Sequence, residues 1–73
     1  MKHSLGVWLF ERRVDANLSR ADVAKHAGLS VDIIRQIEEG RLVDPTLDQL
    51  WRLAVVFQVD VHDLVQQINV PIH

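Results

Sequence analysis

Two stripes of apolar residues that meet at Gly28 constrain the fold of this chain more than any other feature. Both stripes repeat at the spacing of an α-helix, and their members are Val23, Ala24 and Ala27 in the first and Ile33, Ile34 and Ile37 in the second. Helices that cross at a steep angle need a small side chain where their backbones touch, which Ala24 supplies, and an unhindered turn residue, which Gly28 supplies. The pattern predicts two short helices joined by a tight turn.

Capping and stop signals predict three further helices and therefore an all-α fold. The predicted N-caps, in chain order, are Ser4, Ser19, Ser30, Thr46 and Asp60. The first three helices are expected over about residues 5–16, 20–27 and 30–39. The fourth begins with a capping box, because Gln49 follows Thr46 at the required spacing, and a short fifth helix follows. The chain is thus predicted to form five short helices joined by tight turns.

The length of the chain permits one domain with a small core. A chain of 73 residues buries only about 60% of its unfolded surface, so its stability is expected to be modest. It contains no cysteine, and its four histidines show no metal-ligand spacing, so we expect no metal and no cofactor. Self-association is the remaining source of stability. We expect residues 1–64 to form the domain and residues 65–73 a C-terminal tail that contacts a partner copy.

Composition also limits the function. No paired-carboxylate cleft, Ser/His/Asp order or glycine-rich phosphate loop is recognisable, so we do not expect an enzyme. The apolar stretch over residues 5–10 is too short for a signal sequence or a membrane span, and the lack of cysteine suits a reducing cytoplasm. The net charge of −2 counts against a nucleic-acid partner, because phosphate binding usually leaves a basic footprint. DNA binding must therefore depend on the local placement of charge.

The joint spacing of residues 18–40 is that of a helix-turn-helix, and most of the chain resembles the phage repressor, Cro and Xre-like regulators. The resemblance covers Leu5 to about Leu64 and rests on Leu18-Ser19, Val23-Ala24, Gly28, Ser30, Ile34, Ile37-Glu38-Glu39-Gly40-Arg41, Pro45-Thr46-Leu47, Leu50, Leu53-Ala54, Val59-Asp60-Val61 and Asp63-Leu64. It implies a lambda-repressor-like DNA-binding domain whose third helix enters the major groove. It also implies a homodimer that reads half-sites about 34 Å apart.

The resemblance also implies which residues contact DNA. Base reading falls on Val31, Asp32 and Gln36, and phosphate contact on Arg20, Arg35 and Arg41. Gln36 can bind adenine through two hydrogen bonds, Val31 can pack on a thymine methyl, and Asp32 can accept from a cytosine amino group. The alternative for Asp32 is that it stabilises the helix dipole and repels phosphate. The alternatives for the others are an ordinary solvated helix face and, for Arg20, an ion pair with a nearby carboxylate.

Arg13 and Glu38 match a family pair in which an arginine of the first helix meets a carboxylate near the end of the third. We interpret them as a partly buried structural ion pair. The alternative is that both are exposed and unpaired.

The chain carries more apolar side chains than one small core can hold, and such a surplus is typical of an interface. Besides Trp8 and Phe10, the surplus comprises the candidate dimer contacts Trp51, Val55, Val65, Ile68, Val70 and Ile72. The alternatives are that the tail folds back on its own subunit and that Trp8 and Trp51 cover the edge of the core.

We therefore expect a sequence-specific regulator of double-stranded DNA, acting as a homodimeric repressor. The alternative is a protein-interaction module with the same fold, such as an antitoxin or an antirepressor-like partner, with weak or no DNA binding. The acidic balance, Asp32 and the surplus apolar surface favour that alternative.

Overall fold

The computed structural model describes residues 4–68, which form five α-helices and no strand. The helices are α1 (Leu5–Asp15), α2 (Arg20–Ala27), α3 (Val31–Glu38), α4 (Leu47–Phe57) and α5 (Val61–Ile68). The predicted all-α fold of five short helices is confirmed. None of the helices within residues 4–68 is both long and apolar enough to cross a membrane.

Local hydrogen bonds set where the helices begin. At each of the first four helices a Ser or Thr hydroxyl accepts from the backbone N–H three residues later, and the caps are Ser4, Ser19, Ser30 and Thr46. The side chains of Asp22 and Gln49 in turn accept hydrogen bonds from the backbone N–H groups of Ser19 and Thr46, which completes two capping boxes. At α5 the carboxylate of Asp60 accepts from the backbone N–H of His62 at 2.9 Å.

Left-handed residues set where several helices end. Gly28 adopts φ +70° after α2, as its residue type predicted, and Asn17 adopts φ +61° after α1, a conformation that asparagine accepts more readily than most residues. Gln58 ends α4 in the same conformation at φ +55°, which its residue type did not predict. A left-handed residue with a side chain costs about 1–2 kcal/mol. After this turn, Val59 donates its backbone N–H to the carbonyl of Ala54 at 3.0 Å and packs against the core.

The core lies between the inner faces of all five helices. Its most deeply buried side chains are Val23, Leu9, Ile34, Ile37, Leu53 and Leu64. Full burial of each such side chain contributes roughly 1.5–3 kcal/mol. The helix-turn-helix pair is anchored on both sides, because α1 packs against α3 and α4 packs against α2.

Two features of α1 fix its place in the core. Trp8 is only 8% exposed and meets Phe57 edge to face, with ring centroids 5.8 Å apart. Counting Trp8 as surplus surface was therefore wrong, since the ring fills the space between α1 and α4. Gly6 lies directly against the C-terminal turn of α3, where the backbone carbonyls of Ile37 and Glu38 leave no room for a side chain.

The fifth helix continues beyond the expected domain boundary at residue 64. Val65 and Ile68 lie on α5 and are partly buried against the core of their own chain. The first part of the expected tail is thus helical and packed. The other expected contacts, Val70 and Ile72, lie outside the described residues.

Candidate nucleic-acid interface

The outer face of α3 is exposed and accessible to another molecule. Ile34 and Ile37 are buried and tie the inner face of α3 to the core. On the outer face Val31 is 47% exposed, the side chain of Arg35 is 51% exposed, and Gln36 is half-buried beside them. The helix is held at both ends, by the Ser30 cap and by the contact with α1, so its outer face is presented on a rigid support.

Glu38 ties α1, α2 and α3 together through two arginines. Arg13 donates two hydrogen bonds to its carboxylate, from Nε at 2.7 Å and from Nη2 at 3.0 Å. Arg20 donates a third from Nε at 2.9 Å. The Glu38 side chain is only 1% exposed, and its hydrogen bonds raise the pKa of Arg13 above the ordinary value. Glu38 therefore holds both arginines at a junction behind the outer face of α3, in which its own carboxylate is almost inaccessible to water.

The family match agrees with this geometry. A family model described as helix-turn-helix matches residues 9–64, which include all of α2, α3 and α4. The chain belongs to the helix-turn-helix family of Xre and lambda-repressor-like regulators. A comparison with curated protein sequences gives no match. The resemblance found in the sequence is thus confirmed, and the family is one of DNA-binding regulators that are typically not enzymes.

Arg20 of this helix-turn-helix regulator forms an ion pair with Glu38. Its Nε lies on the Glu38 carboxylate, and its Nη1 lies 3.9 Å from Glu39. The pairing with a nearby carboxylate, which the sequence left open, is the geometry observed. About a third of the Arg20 side chain, 35%, is still exposed, so a DNA phosphate can approach it from the outside.

The other two candidate phosphate-binding arginines are also paired. Arg35 donates to Asp32 one turn earlier on α3, and Arg41 approaches Glu39 at 3.6 Å just past the end of the helix. Arg41 is 76% exposed, so that contact is weak and readily broken. Each candidate phosphate contact in the described chain thus has a carboxylate within 4 Å.

Asp32 is the carboxylate that Gln36 and Arg35 share. Its Oδ2 accepts from Nε2 of Gln36 at 2.7 Å, and its Oδ1 accepts from Nη2 of Arg35. Asp32 is the second residue of α3, so its carboxylate also faces the positive end of the helix dipole. The spacing of three and four residues between Asp32 and its partners signals such contacts on a helix, but we had not anticipated them.

A second exposed feature of the regulator is a stripe along the outer face of α4. Leu47, Trp51 and Val55 recur every four residues and are 66%, 58% and 63% exposed. Trp51 and Val55 also line a groove of about 300 Å³ that reaches Val61 at the start of α5. Leu47 was missed in the sequence because it adjoins the capping box. We call these three residues the α4 stripe.

Among the described residues, no group of His, Cys, Asp and Glu side chains is placed to hold a metal ion. His26 and His62 are both exposed on different helices.

Proposed function

We propose that this protein is a sequence-specific transcriptional regulator that binds a short operator as a homodimer and represses by occlusion. The observation that carries the proposal is the division of α3 into a buried inner face and an outer face that bears Val31, Arg35 and Gln36. A single amide such as Gln36 reads adenine with two hydrogen bonds, and an adjacent arginine reaches guanine or phosphate. Such a protein acts in the compartment that holds its DNA, here the cytoplasm.

The α4 stripe supports the homodimer. Three large apolar side chains one turn apart lie in water in the monomer, and two-fold pairing would remove them from it. Val65 and Ile68 already pack against their own core, so we assign the centre of the interface to Trp51 and Val55. A dimer also provides the spacing of two recognition helices that successive major grooves require.

A selection from random duplexes tests the proposed function directly. The purified chain should enrich one short motif that repeats as two half-sites about 34 Å apart, one helical turn of DNA. A reporter with this motif over its promoter should lose expression when the protein is present. Enrichment of no motif, with no retention of duplex at low salt, would refute the proposal.

The paired arginines favour one second candidate, a protein-interaction module of the same fold. Because each candidate phosphate contact has a carboxylate within 4 Å, its positive charge is largely offset by a nearby negative charge. The salt dependence of binding to mixed DNA separates the two functions. Several phosphate contacts impose a steep loss of affinity with salt, whereas a module without DNA binding shows no retention at any salt concentration.

A further inference from the structure

We propose that Asp32 is an internal competitor of DNA that sets the specificity of the regulator. It binds the side chains of Gln36 and Arg35, and a DNA sequence must replace these contacts before the two side chains can bind it. The proposal rests on the DNA-binding function proposed above. It assigns to Asp32 the suppression of non-specific binding.

The geometry places the competitor on the donors that DNA would use. Gln36 Nε2 lies 2.7 Å from one oxygen of Asp32, and Arg35 Nη2 donates to the other. Gln36 needs this amide nitrogen for a paired contact with adenine, and Arg35 needs its guanidinium for guanine or phosphate. Both donors must leave Asp32, or share it, before they bind DNA.

When Gln36 and Arg35 leave Asp32 to bind DNA, the free carboxylate affects the affinity differently for different DNA sequences. The side chains of Asp32 and Arg35 are each 51% exposed, and ion pairs this exposed are weak enough for DNA to break. A duplex of the wrong sequence offers Arg35 a phosphate but leaves a bare carboxylate facing a negative surface. A site with a cytosine amino group at that position offers the carboxylate a donor as well. Asp32 therefore penalises wrong sequences more than the right one.

The chain contains a matched control on another helix. Asp48 is the second residue of α4, as Asp32 is of α3, and its Oδ2 accepts from Nε of Arg52 at 2.8 Å, four residues later. This pair is also exposed, at 73% for Asp48 and 47% for Arg52. Asp48→Asn therefore makes the same change in net charge and helix dipole as Asp32→Asn, away from the outer face of α3.

The experiment compares the intact protein, Asp32→Asn and Asp48→Asn on a mixed-sequence duplex and on the selected site, over a range of salt. We expect Asp32→Asn to bind the mixed duplex about tenfold more tightly. One more arginine on a phosphate should also steepen the slope of log K against log salt by about 0.9. The affinity for the selected site should change much less, so the ratio between the two sites falls. Asp48→Asn should stay within about twofold of the parent on both duplexes.

Three results would overturn the proposal. Equal gains for Asp32→Asn and Asp48→Asn would show an effect of net charge alone. An unchanged affinity of Asp32→Asn for the mixed duplex, when the parent binds its selected site, would show that Asp32 restrains nothing. In the free protein, side-chain amide NMR signals of Gln36 that do not move between parent and Asp32→Asn would show that the two side chains are not in contact.

The failure of DNA binding itself gives a different result. If neither the parent nor Asp32→Asn binds any duplex at low salt while the Gln36 signals do move, the contact exists and the proposed function is wrong. Binding that appears only in Asp32→Asn supports the competitor, because its removal alone then creates the affinity.

Discussion

Gly6 of α1 and Ile37 of α3 are in backbone contact, since a Cβ built on Gly6 would lie 2.4 Å from the carbonyl oxygen of Ile37. Gly6 is the second residue of α1, and alanine normally stabilises a helix relative to glycine, by up to about 1 kcal/mol in the interior. Here the obstacle is backbone, which has no rotamer to escape into. The contact reverses the usual sign of the substitution.

Gly6→Ala should therefore lower the free energy of unfolding by about 1–3 kcal/mol, the usual range for overpacking, as measured by urea denaturation. Gly40→Ala is the control, because a Cβ built on Gly40 would meet no atom within 4 Å and only the φ of +79° is unfavourable for alanine. Its cost should stay near 1 kcal/mol. A stable Gly6→Ala protein would show that α1 stands further from α3 than described.

Removal of Glu38 should destabilise the protein more than removal of Arg20. Glu38→Ala leaves Arg13 without its charged partner in a nearly buried site, and losses of this kind cost about 3–5 kcal/mol. Arg20→Ala should cost much less, because Arg20 is 35% exposed and can be replaced by water. Urea melts of the single variants and of Arg13→Ala with Glu38→Ala measure the coupling. Strictly additive losses would contradict a shared, buried pair.

The capping box of α2 should make its stability depend on pH. Hydrogen bonds from Ser19, first from its backbone N–H, lower the pKa of Asp22 below the ordinary value of 3.8. Because the pKa of Asp22 is lower in the folded state, its ionised carboxylate stabilises the fold fully above the unfolded pKa of about 3.9. This stabilisation disappears as pH falls through the folded pKa. The melting temperature of Asp22→Ala should therefore lie below that of the parent from pH 5 to 7, and the two should converge in acid.

Gln49→Ala is the matched control for this pH profile. Gln49 occupies the same position in the capping box of α4 and does not titrate. The loss caused by Gln49→Ala should be equal at every pH. Convergence of both variants with the parent in acid would point to general acid unfolding.

Replacement of Gln36 should change the sequence preference of DNA binding, whereas replacement of Arg41 should change the affinity for all DNA. Gln36→Ala should weaken binding to the selected site by about 1–3 kcal/mol and relax the preference at one base pair.

Arg41→Ala should weaken binding to all sequences alike and make the slope of log K against log salt shallower by about 0.9, as expected for one lost phosphate contact. Titrations on matched and mismatched duplexes distinguish them, and a changed sequence preference in Arg41→Ala would contradict its assignment.

The proposed dimer should depend on the α4 stripe and not on exposed apolar surface in general. Val55→Gln and Trp51→Ala should each raise the dimer dissociation constant about tenfold or more, as expected for apolar groups at the centre of an interface. Val14→Gln on α1 is the control, since Val14 is 51% exposed and Val55 63%. Sedimentation over a range of concentrations gives the constants. A monomeric parent at high micromolar concentration would exclude this dimer.

The ends of the helices were predictable because the responsible interactions are local. Ser19 and Thr46 find their partners three residues away, and Gly28 needs only its own backbone freedom. Gln58 was not predictable in this way, because its residue type does not favour the left-handed turn that it adopts.

Side-chain partners were less predictable, because several acceptors compete in one small region. Family resemblance placed Arg13 beside Glu38, but the sequence alone does not say whether Arg20 turns to the same carboxylate or to DNA. The two tryptophans show the same limit for burial. Trp8 and Trp51 each sit next to apolar helix positions, yet one fills the core and the other stands in water.

The division of α3 into two sets of positions has a consequence for redesign. Ile34, Ile37 and Glu38 hold the helix to the protein, whereas Val31 is 47% exposed and the Arg35 side chain 51%, and neither belongs to the core cluster or to the Glu38 ion pairs. Substitutions at the outward positions leave the supporting contacts in place, so a combinatorial library there would consist almost entirely of folded proteins. Under the proposed function, operator preference could then be exchanged by changing these positions alone, while the remainder of the chain serves as a constant scaffold.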